Sequence, residues 1–548
     1  MNWLVHLAKF LVNEVLSQPA YLIGIITAVG LAALRKPAGQ TAGGAIKATL
    51  GLLLVGAGAT LVTTALDPLG KMIQGTTGAH GVIPTNEAIA GIAQDRFGAR
   101  VAWLMITGFL VSLLLARFTP LRYVFLTGHH MLFMATMLTV VMASAGQSSL
   151  AVVLGGGVLL GILLVAMPAF AHPWTKRVTG EDTVAMGHFG TAGYILAGAT
   201  GQLTGKLGGR SRSTEDMRLP EGLRFLRDSM VATALSMVVV YLVMSLLFLA
   251  KAGRDTAFEA FTAATGHAAT GVGDYLMQSL MEGLRFGIAV AVILFGVRTI
   301  LGELVPAFQG IARRVVPGAK PALDAPIVFP YAQNAVLVGF VFSFLGGLTG
   351  LAVLVWVLNP AFGLALVLPG LVPHFFTGGA AGVYGNATGG RRGAMAGSFL
   401  NGLLITFLPA LLLKVLGTFG NANTTFGDAD FGWFGTLLGN VAKLHGAAGL
   451  AGMLALGAVV LAAAWTVQVR VVDAGWLPGS AAPAAAPPAG SGSGSNSGSG
   501  SEPVTAPVGS APVGSVPVGS VPAQRTHARI APPAGAPVPP PPPTTAGA

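Results

Sequence analysis

The sequence predicts an all-α polytopic membrane protein with about eleven transmembrane helices plus re-entrant hairpins. Three observations carry this. Only 9% of the 548 residues are charged while 53% are hydrophobic, and the mean hydropathy is +0.72. Soluble domains carry about 25% charged residues, so this chain has too little charge to cover a surface in water. Its apolar residues fall in runs near the roughly 20-residue length that crosses a bilayer core. The 78 glycines suit close helix packing and broken helices in membranes. A soluble enzyme, a disordered protein and a nucleic-acid-binding module are thereby excluded as the main body. The net charge of +11 does not restore the last of these. The basic residues are spread thinly between apolar runs, a pattern that sets membrane orientation.

Residues 1–18 read as an interfacial amphipathic helix. Leu4, Leu7, Phe10, Leu11 and Val15 share a face, and His6, Lys9, Asn13 and Glu14 interrupt the apolar run. The segment lacks the basic start and small-residue cleavage site of a signal peptide. The transmembrane domain follows over 19–476. Its spans centre near 20–34, 47–66, 101–116, 124–144, 149–170, 229–250, 286–304, 333–357, 361–373, 395–416 and 447–469. From 477 the composition changes to Gly/Ser repeats, APVGS-like repeats and a proline run. No apolar surface there offsets the entropy of ordering, so 477–548 is expected to be a disordered Pro/Gly/Ser-rich cytoplasmic tail.

Charge sets the topology. Arg35 and Lys36 follow the first span, and Arg117 and Arg122 join the third to the fourth. Lys176, Arg177, Lys206, Arg210, Arg212, Arg218, Arg224 and Arg227 lie between the fifth and sixth. Arg313, Arg314, Lys320, Arg391, Arg392 and Arg470 complete the set. With eleven spans all of these fall on one side, which is then the cytoplasm. The N-terminus is outside and the tail inside. The opposite loops, near 251–285 and 417–446, hold the acids Asp255, Glu259, Asp274, Glu282, Asp428 and Asp430.

Four stretches are too short or too broken to cross: 78–95, 182–202, 318–334 and 369–390. They read as re-entrant hairpins. Irregular backbone at membrane depth persists only where protein or a water-filled cavity satisfies its polar groups. Such segments point to a transport site, against the plainer reading of hydrophobic loops at the interface.

Asp324, flanked by prolines in KPALDAPIVFP, is the most informative acid. A carboxylate at the bilayer centre costs about 2.5–3.5 kcal/mol even on insertion scales. It is expected to bind substrate hydroxyls or to take a proton from one; a helix cap at the interface is the competing role. His188 sits in AMGHFGTAGY, where Gly187 and Gly190 let backbone approach a ligand. Its imidazole can donate and accept, which suits a polyol, whereas a structural histidine would bond a carbonyl. His129 and His130 are adjacent and face different ways, so at most one lines a cavity. Asn86 and Glu87 belong to the first broken stretch. Tyr384 and Asn386 in GVYGN are candidate hydroxyl ligands or parts of a turn. Glu303 reads as an internal structural pair with Arg298. No metal site is expected, because no spacing such as HExxH is present. No cofactor motif appears in a credible context. The absence of cysteine removes thiolate metal sites and Cys nucleophiles.

Several blocks resemble the ascorbate-specific IIC permeases of the bacterial phosphotransferase system (PTS; the SgaT/UlaA family). These are YLIGIITAVGLAALRK (21–36), LTGHHM (126–131), AMGHFG (185–190), RRVVPGAKPALDAPIVFPYAQNAVLVGF (313–340) and VPHFFTGGAAGVYGN (372–386). They run collinearly over roughly residues 1–470. The resemblance implies a homodimer of eleven-span protomers, each with a V-motif domain and a core domain that moves as an elevator. It implies uptake of a sugar or sugar acid, phosphorylated by a separate IIB phosphoprotein fed by IIA. It places His188 and Asp324 at substrate-contacting, catalytic positions. Asn86, Glu87, His129, Phe133, Phe189 and Tyr384 complete the expected substrate site. Where the family's ascorbate transporters carry amides, this chain has Phe133 and Phe189, a change that alters the preference of a polar pocket. IIB of this class carries its phosphate on cysteine, and this chain has none. The expected partners are therefore separate IIB and IIA chains, a carbohydrate and membrane lipid, without nucleic acid. The expected location is the bacterial inner membrane. An ion-coupled secondary carbohydrate transporter on the same scaffold is the alternative; a non-transporting sensor is a second.

Overall fold

The computed structural model describes residues 19–209, 211–217, 229–262 and 266–479. The interfacial helix expected at 1–18 and nearly all of the 477–548 tail lie outside these residues. In chain order the elements are α1 Pro19–Ala33, α2 Ala38–Thr77, β1 Gly81–Pro84, α3 Asn86–Phe118, β2 Tyr123–Phe125, α4 Gly128–Ser144, α5 Ser149–Thr179, β3 Ala185–Met186 and α6 Thr191–Gly208. They continue with α7 Ser229–Phe258, α8 Val272–Val315, β4 Lys320–Leu323, α9 Gln333–Val353, β5 Leu366–Val367, α10 Leu371–Leu412, β6 Thr424–Thr425, α11 Ala429–Ala442 and α12 Gly446–Val467. Among the described residues, eight helices are long and apolar enough to cross a bilayer: α2, α3, α5, α7, α8, α9 with its continuation to Phe362, α10 and α12. Two shorter apolar helices fall within α1 and at α4.

The helix boundaries follow local chemistry. α2 and α5 stop at Gly78 and Gly180, both in the left-handed region that glycine tolerates. α5 starts at Ser148, whose side chain accepts the Ala151 N–H. α10 breaks at Gly390 (φ 67°, ψ −150°), and Gly385 packs against Gly393 across the break. One group of helices forms as α8 packs on α2 and α7, with α1 against α2. In a second group α10 packs on α6 and α9. Glycines set that spacing: a Cβ on Gly339 of α9 would lie 2.8 Å from the Cα of Gly382 on α10.

The six short strands form two three-stranded parallel sheets, ordered β5-β1-β6 and β2-β4-β3. Gly81 and Val82 pair with Leu366 and Val367, and Ile83 and Pro84 with Thr424 and Thr425. Tyr123–Phe125 pair with Lys320–Ala322, and Ala185 and Met186 with Ala322 and Leu323. The first strand of each half of the chain is the centre of a sheet, and the other half supplies both of its neighbours. This exchange relates β1–β3 to β4–β6 as internal repeats, an arrangement common in transporters. Five of the strands run within a few residues into an α-helix, and β4 runs into a 3-10 segment, Ala325–Tyr331, ahead of α9, so six helical beginnings gather around the sheets.

Several sequence expectations are corrected. Residues 361–373 are not a span: the helical turn Asn359–Phe362 ends at Gly363 (φ 60°), and the chain continues as strand β5. The stretches 78–95 and 318–334 are not hairpins: the first leads through β1 into the long helix α3, and the second through β4 and the 3-10 segment Ala325–Tyr331 into α9. The segment 417–446 is not a plain loop, since it carries β6 and α11 and buries Asp428 and Asp430. Glu282, assigned to a loop, is buried within α8 and paired with Arg285. Glu303 pairs with Lys47 at 2.9 Å rather than with Arg298. Residues five apart point about 140° apart on a helix, so that internal pair was geometrically unfavourable.

Candidate functional site

A cavity of about 320 Å³ opens where the strand-to-helix turns meet. All six turns reach it. Asn86 and Glu87 follow β1; His129, His130 and Phe133 follow β2; His188 follows β3. Asp324 and Pro326 follow β4; Val372, Pro373 and Phe376 follow β5; Asp428 follows β6. The remaining wall is Thr233 of α7 with Leu294, Val297 and Arg298 of α8. The cavity volume sits at the lower end of the roughly 300–1,000 Å³ typical of small-molecule sites.

The pairing of β3 with β4 brings His188 to Asp324. The Gly187 N–H donates to the Leu323 carbonyl at 2.6 Å. A Cβ on Gly187 would stand 2.5 Å from the Ala322 carbonyl oxygen, so glycine is required for this approach. Nε2 of His188 lies 3.9 Å from Oδ1 of Asp324, and Nε2 of His129 lies 3.3 Å from Oδ2. Asp324 also accepts the Ala325 N–H at 2.7 Å, yet 38% of its side chain stays open.

The protonation of His188 is fixed from behind. Its Nδ1 accepts the Gly190 N–H at 2.9 Å and faces the Tyr194 hydroxyl at 2.9 Å. A backbone N–H only donates, so Nδ1 carries the lone pair and Nε2 carries the proton. His188 therefore presents a donor toward Asp324 and the cavity, with no free acceptor there. Two groupings of ligand-type side chains occur here, His129–His130–Asp324 and His130–His188–Asp428. The second does not suit a metal, because Nε2 of His188 is protonated. Its two imidazole rings also pack with centroids 3.8 Å apart, closer than the roughly 5 Å of two rings on one tetrahedral ion.

Two carboxylates from the β6–α11 turn organise the other side. The Asn86 side chain donates to Asp428 at 2.8 Å and accepts the Gly427 N–H at 2.8 Å, tying the β1 turn to the β6 turn. Asp430 is buried and accepts the Thr191 and Ala192 N–H groups at 2.8 and 3.0 Å, together with Trp433 Nε1–H at 2.9 Å. It caps α6 from another part of the chain and so holds the turn that carries His188. At the far ends of β3 and β4, Asp182 accepts from Lys320 at 2.8 Å and contacts His172 at 2.5 Å. Partial burial opposes the Asp182 charge, but these partners hold its carboxyl down at about 2.

Six of the eight expected site residues therefore come together: Asn86, Glu87, His129, Phe133, His188 and Asp324. Two do not line the cavity. Phe189 is fully buried, with its ring stacked on Phe125 at 5.2 Å and near Phe431 at 5.6 Å. Tyr384 is buried on Tyr194, its hydroxyl 2.8 Å from that of Thr175. Asn386 serves a turn, with its side-chain oxygen accepting the Thr214 N–H at 3.0 Å. His130 lines the cavity beside His129, so both of the adjacent histidines reach it. Asp428 and Arg298 were missed. The signal for Asp428 was the recurrence of extended residues, glycine, a polar group and a helix start, as in AMGH and TTFGD. For Arg298 it was an intramembrane charge without a neighbour on its own face.

A cavity lined by polar groups and enclosed by broken segments inside a many-helix membrane protein is the form a transport site takes. The sequence pattern of one family, EIIC-GAT, described as the PTS system sugar-specific permease component, matches residues 14–430, and the chain belongs to this family. The chain is also 26% identical over 454 residues to the ascorbate-specific PTS system EIIC component of Mycoplasma pneumoniae. That match spans 76% of this chain and 67% of the relative. The protein is thus a multi-pass PTS sugar permease component, and separate IIB and IIA chains are the partners such a component implies.

Proposed function

We propose that this permease takes up L-ascorbate or a related sugar acid and holds it for phosphorylation by a separate IIB phosphoprotein. The observation that carries the reading is the pairing of a fixed donor, His188 Nε2–H, with a half-open acceptor, Asp324, in one cavity. A polyhydroxylated ligand needs both. Arg298 and the helical beginnings around the cavity supply positive potential that offsets its three acids, Glu87, Asp324 and Asp428, as an anionic ligand requires. The relative from Mycoplasma pneumoniae, named for ascorbate, supports the substrate class.

Phosphoryl transfer proceeds through a loose transition state, so the permease contributes mainly positioning and charge stabilisation. His188 donates to a substrate oxygen and orients the ring. Asp324, supported by His129, accepts the proton of the attacking hydroxyl. The resemblance to the ascorbate permeases supports the remaining parts of the reading. These are a homodimer with V-motif and core domains, elevator movement of the core, an outside N-terminus and a cytoplasmic tail in the bacterial inner membrane.

Uptake in vesicles tests the proposal. Ascorbate accumulation should survive collapse of proton and sodium gradients and stop when the phosphodonor chain is omitted. Uptake that follows an ion gradient and ignores the phosphodonor refutes it and favours an ion-coupled carrier.

A further inference from the structure

Arg298 stands apart from every other group in the cavity. It is the one Lys or Arg among the described residues that line it. It projects from α8, on the wall otherwise made of Thr233, Leu294 and Val297, while the acids come from the strand turns. Two of the three cavity acids have partners of their own: Asp324 has His129 and the Ala325 N–H, and Asp428 has Asn86; the third, Glu87, starts α3 on the β1 side and forms no ion pair with Arg298. No carboxylate of a described residue lies within ion-pair distance of Arg298, and among the basic residues without such a partner it is the one that lines the cavity. An ionised side chain in the middle of an apolar helix is costly and faces a cavity or a partner. On that helix Glu282 and Arg285 pair with each other and Glu303 pairs with Lys47, whereas Arg298 is left to the cavity.

We infer that Arg298 is a specificity-determining residue that takes the anionic oxygen of the substrate from the α8 wall, so that an acidic sugar derivative is selected over a neutral one. This rests on the proposed reading of the cavity as the sugar-acid site. The planar guanidinium offers a fork of donors to an oxyanion and its vicinal oxygen, which an ammonium does not reproduce. The substrate then spans the cavity, with His188 and Asp324 at one end and Arg298 at the other. A neutral lactone of the same size keeps the first set of contacts and gains nothing from the second.

Calorimetric titration of the purified full-length protein tests this, without any phosphodonor present. The ligands are L-ascorbate, an anion at neutral pH, and the neutral L-gulono-1,4-lactone; the variants are Arg298→Gln, Arg298→Lys and, as a control, His188→Ala. Arg298→Gln should weaken ascorbate binding about tenfold or more, the scale of one lost charge-assisted hydrogen bond. Arg298→Lys should fall between, and lactone binding should be unchanged in both. Wild-type ascorbate affinity in Arg298→Gln overturns the inference. Equal loss of both ligands with a lowered melting temperature also overturns it, as the mark of a structural role. Ascorbate binding lost in His188→Ala but kept in Arg298→Gln leaves the proposed function standing and removes only the inference. A wild-type protein that does not bind ascorbate removes both.

Discussion

Replacing Asp430 probes how the fold holds its site. This carboxylate is 1% exposed and accepts three hydrogen bonds, from Thr191 N–H, Ala192 N–H and Trp433 Nε1–H. Its own N–H donates to the Phe189 carbonyl at 2.9 Å, so the α11 start and the His188 turn are laced together. Hydrogen bonds to a charged group contribute about 1.5–3 kcal/mol each, and an emptied N-cap costs about 0.5–2 kcal/mol. Burying the carboxylate offsets part of this, so Asp430→Ala should cost on the order of 3–5 kcal/mol. That is a large share of the roughly 5–15 kcal/mol by which folded domains are stable. Asp430→Asn keeps one acceptor but turns an amide N–H₂ toward a donor, and should lose about half as much. Thermal unfolding in detergent, followed by ascorbate titration below the transition, reads both effects. The Ala variant should melt well below wild type, with Asn between. Both should bind ascorbate more weakly, because the frayed first turn of α6 releases His188. An unchanged melting temperature with unchanged binding in Asp430→Ala would refute the capping argument.

Four further outcomes follow from the same geometry. Asp324→Asn should fold and insert while substrate phosphorylation falls by about 10²-fold, the range of a lost general base; wild-type phosphorylation would remove Asp324 from that role. Gly187→Ala should push β3 off β4 and lower ascorbate affinity, and a titration matching wild type would show that the backbone yields there. Phe133 lines the cavity and Phe189 does not, so Phe133→Gln should strengthen ascorbate binding while Phe189→Gln lowers the melting temperature by burying an amide among aromatic rings; the opposite pattern would place Phe189 in the site. In the cysteine-free chain, Asp255→Cys should react with an impermeant external thiol reagent and Arg212→Cys should not; the reverse labelling would invert the orientation.

What the sequence makes legible is what repeats locally. The eight long helices all overlap expected spans, because 20-residue apolar runs carry their own signal. Residues 361–373 failed because a short apolar run does not distinguish a strand from a helix segment. Only the pairing of Leu366 and Val367 with Gly81 and Val82, far away in the chain, decides it. His188 and Asp324 were legible as polar residues in glycine- and proline-broken stretches. Asp428 was hidden because its acidic neighbourhood matched the charge expected of an outside loop, and charge counting does not see burial. Phe189 was misplaced by adjacency: it follows a cavity residue, but the turn after β3 sends its ring to Phe125 on the other side. The role of His188 sharpened for a similar reason. Its donor character depends on the Gly190 N–H and the Tyr194 hydroxyl, contacts that sequence order does not reveal.

The chemical form of the delivered substrate tests the central claim most directly. Proteoliposomes holding the purified permease would be loaded with the phosphorylated IIB chain and given labelled L-ascorbate outside, with no ion gradient. The account predicts that the label accumulates inside as a phosphate ester, in proportion to the phosphodonor supplied, and that Asp324→Asn sharply reduces the ester formed. Accumulation of unmodified ascorbate against its gradient, indifferent to the phosphodonor, would contradict it.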